Sequence, residues 1–453
     1  MALLRPGSHP AGGSCRLASF RHERKIVTQQ QTSTPILISN VRVFGADGCG
    51  LTPPTSVLIQ DRRIAAIGEE KPPEGAVVIE GGGRVLMPGL SDAHVHLFAA
   101  GNTHAGLTMG ATGMNYYNAL AEAERMLMRG FTAVRDMAGD VAALRQVLDS
   151  GAFPGPRIYP SQAAISQTSG HGDYSAVYED ATTFSCGLHT RAEQIGFMRV
   201  ADGRDQVLAA VREQLKKGAS QIKIMAGGGV ASTYDPLDVV QYTPDELSAA
   251  VEAASDWGTY VSAHVYNDEG IRRAIAAGIR SIEHGHLAAG PETFKLMASK
   301  GVWLSTQPFL ESDHEYPNPD NTEKNQEVCA GVADSFMWAR EAGAKIAFGT
   351  DLLLEPEKAG LQNEMLTRLS TDFDFSPTEA LRIATSGNAE LFRLSGERDP
   401  YKEARLGEIT VGAWADVLLV EGDPTEDLTV LGDPDKNLAV IIKDGRIYKN
   451  LLG

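Results

Sequence analysis

Cysteine is scarce in this chain. Only four occur in 453 residues (Cys15, Cys49, Cys186 and Cys329). They lie far apart and none forms a CxxC pair, so neither a disulfide framework nor a thiolate metal site is expected. Reduced thiols and a cytoplasmic setting are the expectation. Dense Lys/Arg runs are missing as well, and the formal net charge is −17, which disfavours an electrostatic grip on nucleic acid or anionic lipid. No stretch reaches the roughly 20 uninterrupted apolar residues of a membrane helix, and the mean hydropathy is −0.17. Nucleic acid and membrane are therefore not expected partners. What the chain does have is enough apolar sequence, 43% against 22% charged, to bury a large core.

Residues 1–34 differ from the rest. Five basic residues (Arg5, Arg16, Arg21, Arg24, Lys25) face one acid, Glu23, among scattered Gly, Ser and Pro. The segment lacks the apolar run of a secretory signal and is read as a disordered extension, with an organelle transit peptide or a misplaced start as alternatives. Short β segments follow from Ile36 (PILISNVRVF, TSVLIQDRRIAAIG, AVVIEGGGRVLMPG) and return at the far end in GEITVGAWADVLLVEGDP and NLAVIIKDGRIYKN. Residues 35–88 plus 404–453 are therefore expected to form one small β-sandwich built from both termini.

The middle, residues 89–403, repeats a unit: a helical stretch, a glycine, then a β-branched run. Gly130, Gly218, Gly258, Gly278, Gly301 and Gly343 stand at these junctions, where a residue just past a helix end adopts the left-handed conformation that glycine takes without steric cost. With LMPGLSDAHVHL and PRIYPS this gives eight strands, which predicts an α/β fold of the (β/α)8 TIM-barrel type. The stretch 162–202 reads as one long loop after the third strand, a candidate lid.

Placing ionisable residues on that strand list gathers them at one rim. His94 and His96 close the first strand, Lys223 lies in the fourth, and His264, His284 and Asp351 close the fifth, sixth and eighth. Strand alternation points His94 and His96 the same way and Val95 the other. It also puts Lys223 with Gln221 and Met225, opposite Ile222 and Ile224, so the lysine is expected inside the barrel, where a lone ammonium is costly. Each residue alone has a bland reading as a packed or capping group; four of 11 histidines with an interior lysine and an aspartate at one rim point to a metal site.

The set His94-Val-His96, Lys223, His264, His284 and Asp351 resembles the amidohydrolase superfamily, in the subtype with two metals bridged by a carboxylated lysine. The resemblance covers residues 36 to 453, including LGEITVGAWADVLLV near the C-terminal end. It implies that His94, His96 and Asp351 hold one ion, that His264 and His284 hold the second, and that a CO2-derived carbamate on Lys223 bridges them. Two divalent ions are implied, Zn²⁺ suiting imidazole and oxygen ligands without thiolate. Asp351, Lys223 and His284 form the implied catalytic set, with a bridging hydroxide as nucleophile and Asp351 as proton shuttle to the leaving nitrogen.

Narrower motifs, KIMAGGGVAS, SAHVYN, SIEHGHL and TSGHGD, are similar to the branch holding Xaa-Pro dipeptidase and carboxypeptidase-like enzymes, imidazolonepropionase-related proteins and ochratoxin-hydrolysing amidohydrolases. That branch implies a small-molecule substrate with a free carboxylate, contacted by Tyr266 and by His171, with His286 as a further pocket residue. The expected reaction releases a C-terminal amino acid from short peptides, N-acyl amino acids or ochratoxin A. Hydrolysis of a cyclic amide, as in imidazolonepropionase, is the alternative; a non-catalytic assembly protein is disfavoured because every ligand position is filled. The resemblance also implies a homo-oligomer. His104, His189 and His314 carry no motif, and Gly227 to Gly229 read as a close backbone approach beneath the metals rather than a phosphate cradle.

Overall fold

The computed structural model describes residues 34–45, 50–68, 71–181, 184, 188–232 and 234–453. The extension expected over residues 1–34 lies outside the described residues up to Ser33, as do Cys15, Cys49 and Cys186; Cys329 is a free, half-buried thiol.

Strands from both ends of the chain share one sheet. β1 (Ile36–Val43), β2 (Thr55–Gln60), β3 (Arg63–Gly68), β4 (Val77–Glu80) and β5 (Val85–Pro88) come from the first end. The central run supplies β6 (Leu90–Val95), β7 (Phe131–Asp136), β8 (Arg157–Pro160), β9 (Ala164–Ser166), β10 (Met198–Val200), β11 (Ile222–Met225), β12 (Val261–Asn267), β13 (Ser281–Leu287), β14 (Trp303–Thr306) and β15 (Lys345–Phe348). β16 (Val417–Val420), β17 (Leu438–Lys443) and β18 (Arg446–Asn450) close the chain. The shared sheet runs β18-β17-β16-β5-β1-β2-β3, with β4 on β1, and β5 pairs antiparallel with β16 from Val85↔Val420 to Pro88↔Val417.

Alternation explains why both faces of β5, β16 and β17 are dry. Leu86, Val417, Leu419, Val440 and Ile442 pack with Ile36, Ile38, Val57 and Ile59. The residues between them, Val85, Met87, Leu418, Val420 and Ile441, join the main core with Leu90 and Phe131.

The eight expected central strands, β6 to β8 and β11 to β15, are all present and pair in parallel; together with β9 and β10 they make two sheets ordered β6-β7-β8 and β10-β9-β11-β12-β13-β14-β15. Asp351 N, just after β15, donates to His94 O in β6 at 2.8 Å, and Ser220 N, just before β11, donates to Pro160 O in β8 at 2.7 Å. The six junction glycines all have positive φ, from 63° at Gly301 to 97° at Gly278. The helix Pro244–Asp256 starts on a capping box between Thr243 and Glu246, with proline in its first turn.

The stretch 162–202 differs from its expectation as a single loop. It contains β9 and β10, three residues each and paired in parallel, with β9 reaching β11 through Ile165↔Ile224. Strands this short carry too little periodicity to stand out from a loop.

Candidate active site

The strand ends deliver their polar side chains to one buried cluster. Val95 enters the apolar core, while His94 Nε2 and His96 Nε2 lie 3.4 and 3.0 Å from Asp351 Oδ1. Ile222 and Ile224 face the helices, and Lys223 is 1% exposed with Nζ 3.3 Å from His94 Nε2. No carboxylate pairs with that ammonium among the described residues, and burial pushes its pKa down to about 8. Burial thus raises the share of uncharged amine, the form that takes up CO2.

His284 and Asp351 break the simple strand pattern. Their φ angles are +77° and +52°, in the left-handed region that residues with a Cβ rarely occupy. Strict alternation would turn Glu283 away from the side His284 faces; with this backbone both reach the interior. His284 Nδ1 meets Gln307 Oε1 at 2.8 Å and Asp351 Oδ2 at 3.9 Å. Its ring lies 4.5 Å from that of His264 and 5.1 Å from that of His94. His264 turns Nε2 to Gly228 O at 2.9 Å.

Burial disfavours charge on His94, His264 and His284, and the cluster holds the aspartate ionised. Burial is the main cause of the lowered pKa of all three, and the Lys223 ammonium acts in the same direction on each. For Asp351 burial acts upward, but His94, His96 and Lys223 outweigh it and hold the carboxyl below the usual range. Neutral imidazoles and a carboxylate are the metal-binding forms. Ligand atoms of His94, His284 and Asp351 lie within 4.8 Å of one another. His96 Nδ1 and Asp351 Oδ1 are buried without a well-aligned hydrogen bond. This donor set fits a metal ion. His284, expected beside His264, thus also groups with His94 and Asp351.

A cavity of about 360 Å³ opens over the cluster. Of the expected substrate contacts, Tyr266 and His171 line it. Tyr266 is 4.9 Å ring to ring from His284. His171 stacks on His264 at 4.2 Å, with Nδ1 held by Ser232 Oγ at 2.8 Å and Asp235 Oδ2 at 3.1 Å. His286 is set back in the wall: it is 2% exposed, and its Nε2 is held by the Thr306 hydroxyl at 2.8 Å and the Gln307 carbonyl at 3.2 Å. Burial lowers its pKa to about 4.

Several residues were not legible. His104 and His314, which carry no motif, line the cavity, as do Tyr174, Phe197, Phe309 and Tyr316. The glycine run serves the cavity wall more than the floor: a Cβ on Gly229 would sit 2.0 Å from the His171 ring and one on Gly228 1.9 Å from Pro236 O. Beneath His94, Glu283 Oε2 lies 2.9 Å from its Nδ1, and Arg135 donates to both Glu283 oxygens at 2.8 Å. Asp92 accepts from His94 N, Thr350 N, Thr350 Oγ1 and Gln362 Nε2, tying β6 to the residues after β15. Glu283 stands inside the SIEHGHL motif, which was the available signal; Arg135 and Asp92 had none beyond lying in a strand.

Comparison with known proteins agrees with this geometry. The sequence profile of the Amidohydrolase family matches residues 85–448. An ochratoxinase from Aspergillus niger is 32% identical over 422 residues, covering 87% of this chain and 82% of its own. A prolidase solved in complex with N-methylphosphonate-L-proline superposes with a TM-score of 0.82 at 34% identity, covering 92% of this chain and 100% of that one. A Xaa-Pro dipeptidase with methionine bound in its active site gives 0.75 at 29% identity, covering 92% and 100%. The chain belongs to the amidohydrolase family and is a hydrolase acting on amide bonds.

Proposed function

We propose that this protein releases a C-terminal amino acid from short peptides or N-acyl amino acids, with ochratoxin A among the candidate substrates. The observation that carries the reading is the convergence of His94, His284 and Asp351 beside an unpaired, buried Lys223. In this reading the parallel strands close into a (β/α)8 barrel and the sheet from both chain ends is the small sandwich beside it.

His94, His96, His264, His284 and Asp351 would hold two divalent ions, of which Zn²⁺ suits the donors best, with a carbamate on Lys223 as a further oxygen ligand. When bound, such ions polarise a carbonyl and acidify water. The chain's own residues do the rest. Asp351, held ionised by its neighbours, accepts a proton at a carboxylate oxygen and passes it to the leaving nitrogen. Tyr266 and His171 take the substrate carboxylate from adjacent sides of His264. Phe197, Phe309 and Tyr316 surround the substrate with apolar surface and exclude water.

The test is a panel of dipeptides, N-acyl amino acids and ochratoxin A, incubated with and without chelator. Chelator-sensitive release of free amino acid is expected. Absence of release across the panel refutes the proposal, and a ring-opened acid from a cyclic amide would support the imidazolonepropionase-like alternative.

A further inference from the structure

The histidines of the cluster are not backed alike. His94 is set against a carboxylate, Glu283 Oε2 at 2.9 Å from its Nδ1, whereas His264 and His284 have the neutral oxygens of Gly228 and Gln307 behind them. The carboxylate is itself built in. Arg135 and Glu283 are both 0% exposed. The guanidinium donates to Glu283, to Ala93 O at 2.6 Å, to Tyr260 Oη at 3.1 Å and to Ser305 Oγ at 3.1 Å. Ser281 Oγ donates to Glu283 Oε1 at 2.6 Å. A buried ion pair pays for its desolvation only when its remaining hydrogen bonds are made, and here they are.

Only one tautomer of His94 satisfies this arrangement. The carboxylate can only accept, so Nδ1 carries the proton and the Nε2 lone pair faces Lys223 and Asp351. A carboxylate behind a ligating imidazole fixes its ring and raises its basicity, and losing such a partner costs about 10–100-fold in metal affinity.

We propose that Glu283, braced by Arg135, is a positioning residue for His94, and that the ion position served by His94 is held more tightly than the one served by His264. The inference rests on the two-ion reading of the cluster. Zn²⁺ dissociation from the full chain, followed with a chromogenic chelator, is expected to show two steps. Glu283→Gln is expected to weaken the tight step at least tenfold and leave the weak step unchanged; Arg135→Met should act in the same direction, and Glu283→Asp should restore part of the loss.

A single step in the wild type, or a folded Glu283→Gln variant with both constants within twofold of wild type, overturns the proposal. Should the variants fail to fold, ¹⁵N-histidine NMR of the metal-free wild type decides, with His94→Asn for assignment: Nδ1–H on His94 supports the proposal and Nε2–H overturns it. None of these readouts needs turnover. A protein that binds ions in this way yet releases no amino acid from the panel would refute the amidase reading and leave this one standing.

Discussion

A methyl group is a sharp probe of the cavity wall. At Gly229 it would lie 2.0 Å from two atoms of the His171 ring, which is held by Ser232 and Asp235 and stacks on His264. Overpacking of this kind costs about 1–3 kcal/mol. Gly229→Ala is therefore expected to raise KM for a carboxylate-bearing substrate roughly tenfold, with a smaller change in kcat; steady-state kinetics on the best panel substrate checks it. Lys223→Ala should remove nearly all turnover, with partial rescue by a short carboxylic acid that replaces the carbamate oxygens. Full activity in that variant, measured beside its bound metal, would exclude the carbamate. At this scale the sequence shows which residues converge, because alternation fixes the facing of His94, His96 and Lys223. It hides Glu283, because alternation counted from His284 turns that residue outward, and the positive φ that brings His284 to the same side as Glu283 leaves no local trace.

One helix acts at the scale of elements. Lys324, on the helix Pro319–Ala330, donates to Gly229 O, Ser232 O and Asp235 O at 2.9–3.0 Å, and Asn321 donates to Val230 O and Ser232 O. The loop thus pinned carries Ser232 and Asp235, the partners of His171. Lys324→Ala takes one donor from each of three carbonyls, of which Ser232 O keeps Asn321 and Gly229 O keeps Ser232 Oγ, and is expected to cost about 1–3 kcal/mol. A lower Tm and faster proteolysis within 228–235 are the measurements. The junction glycines made the central strands legible, because each needs a conformation that other residues resist. The contents of 162–202 were not legible, because β9 takes its place from pairing with β11, and β10 from pairing with β9, rather than from local pattern.

Across the whole molecule, Arg157 joins the central strands to the sheet made from both chain ends. It is 0% exposed and pairs with Asp416 at 2.8 Å and Asp444 at 2.7 Å. Arg157→Ala leaves Asp416 without its guanidinium and Asp444 with Arg62 alone, and removing one partner of a buried pair costs about 3–5 kcal/mol. Burial acts to raise the pKa of Asp444, but Arg157 and Arg62 outweigh it and hold the group below 3.8. Its contribution is therefore present above the unfolded value and lost as pH falls through the lowered folded one. Denaturant unfolding of wild type and variant should differ most at neutral pH, begin to draw together near the unfolded carboxylate value and converge as pH falls through the lowered folded one. Composition and charge foretold none of this, since ion pairs between distant segments leave no local trace. The pairing of Val85 with Val420 also has a meaning for biosynthesis. β5 is made early and β16 near the end, so until the last segment emerges from the ribosome β5 presents an unfilled edge to its surroundings. A chain stopped before residue 417 would keep that edge open, so premature termination should yield an aggregating product rather than a smaller working enzyme.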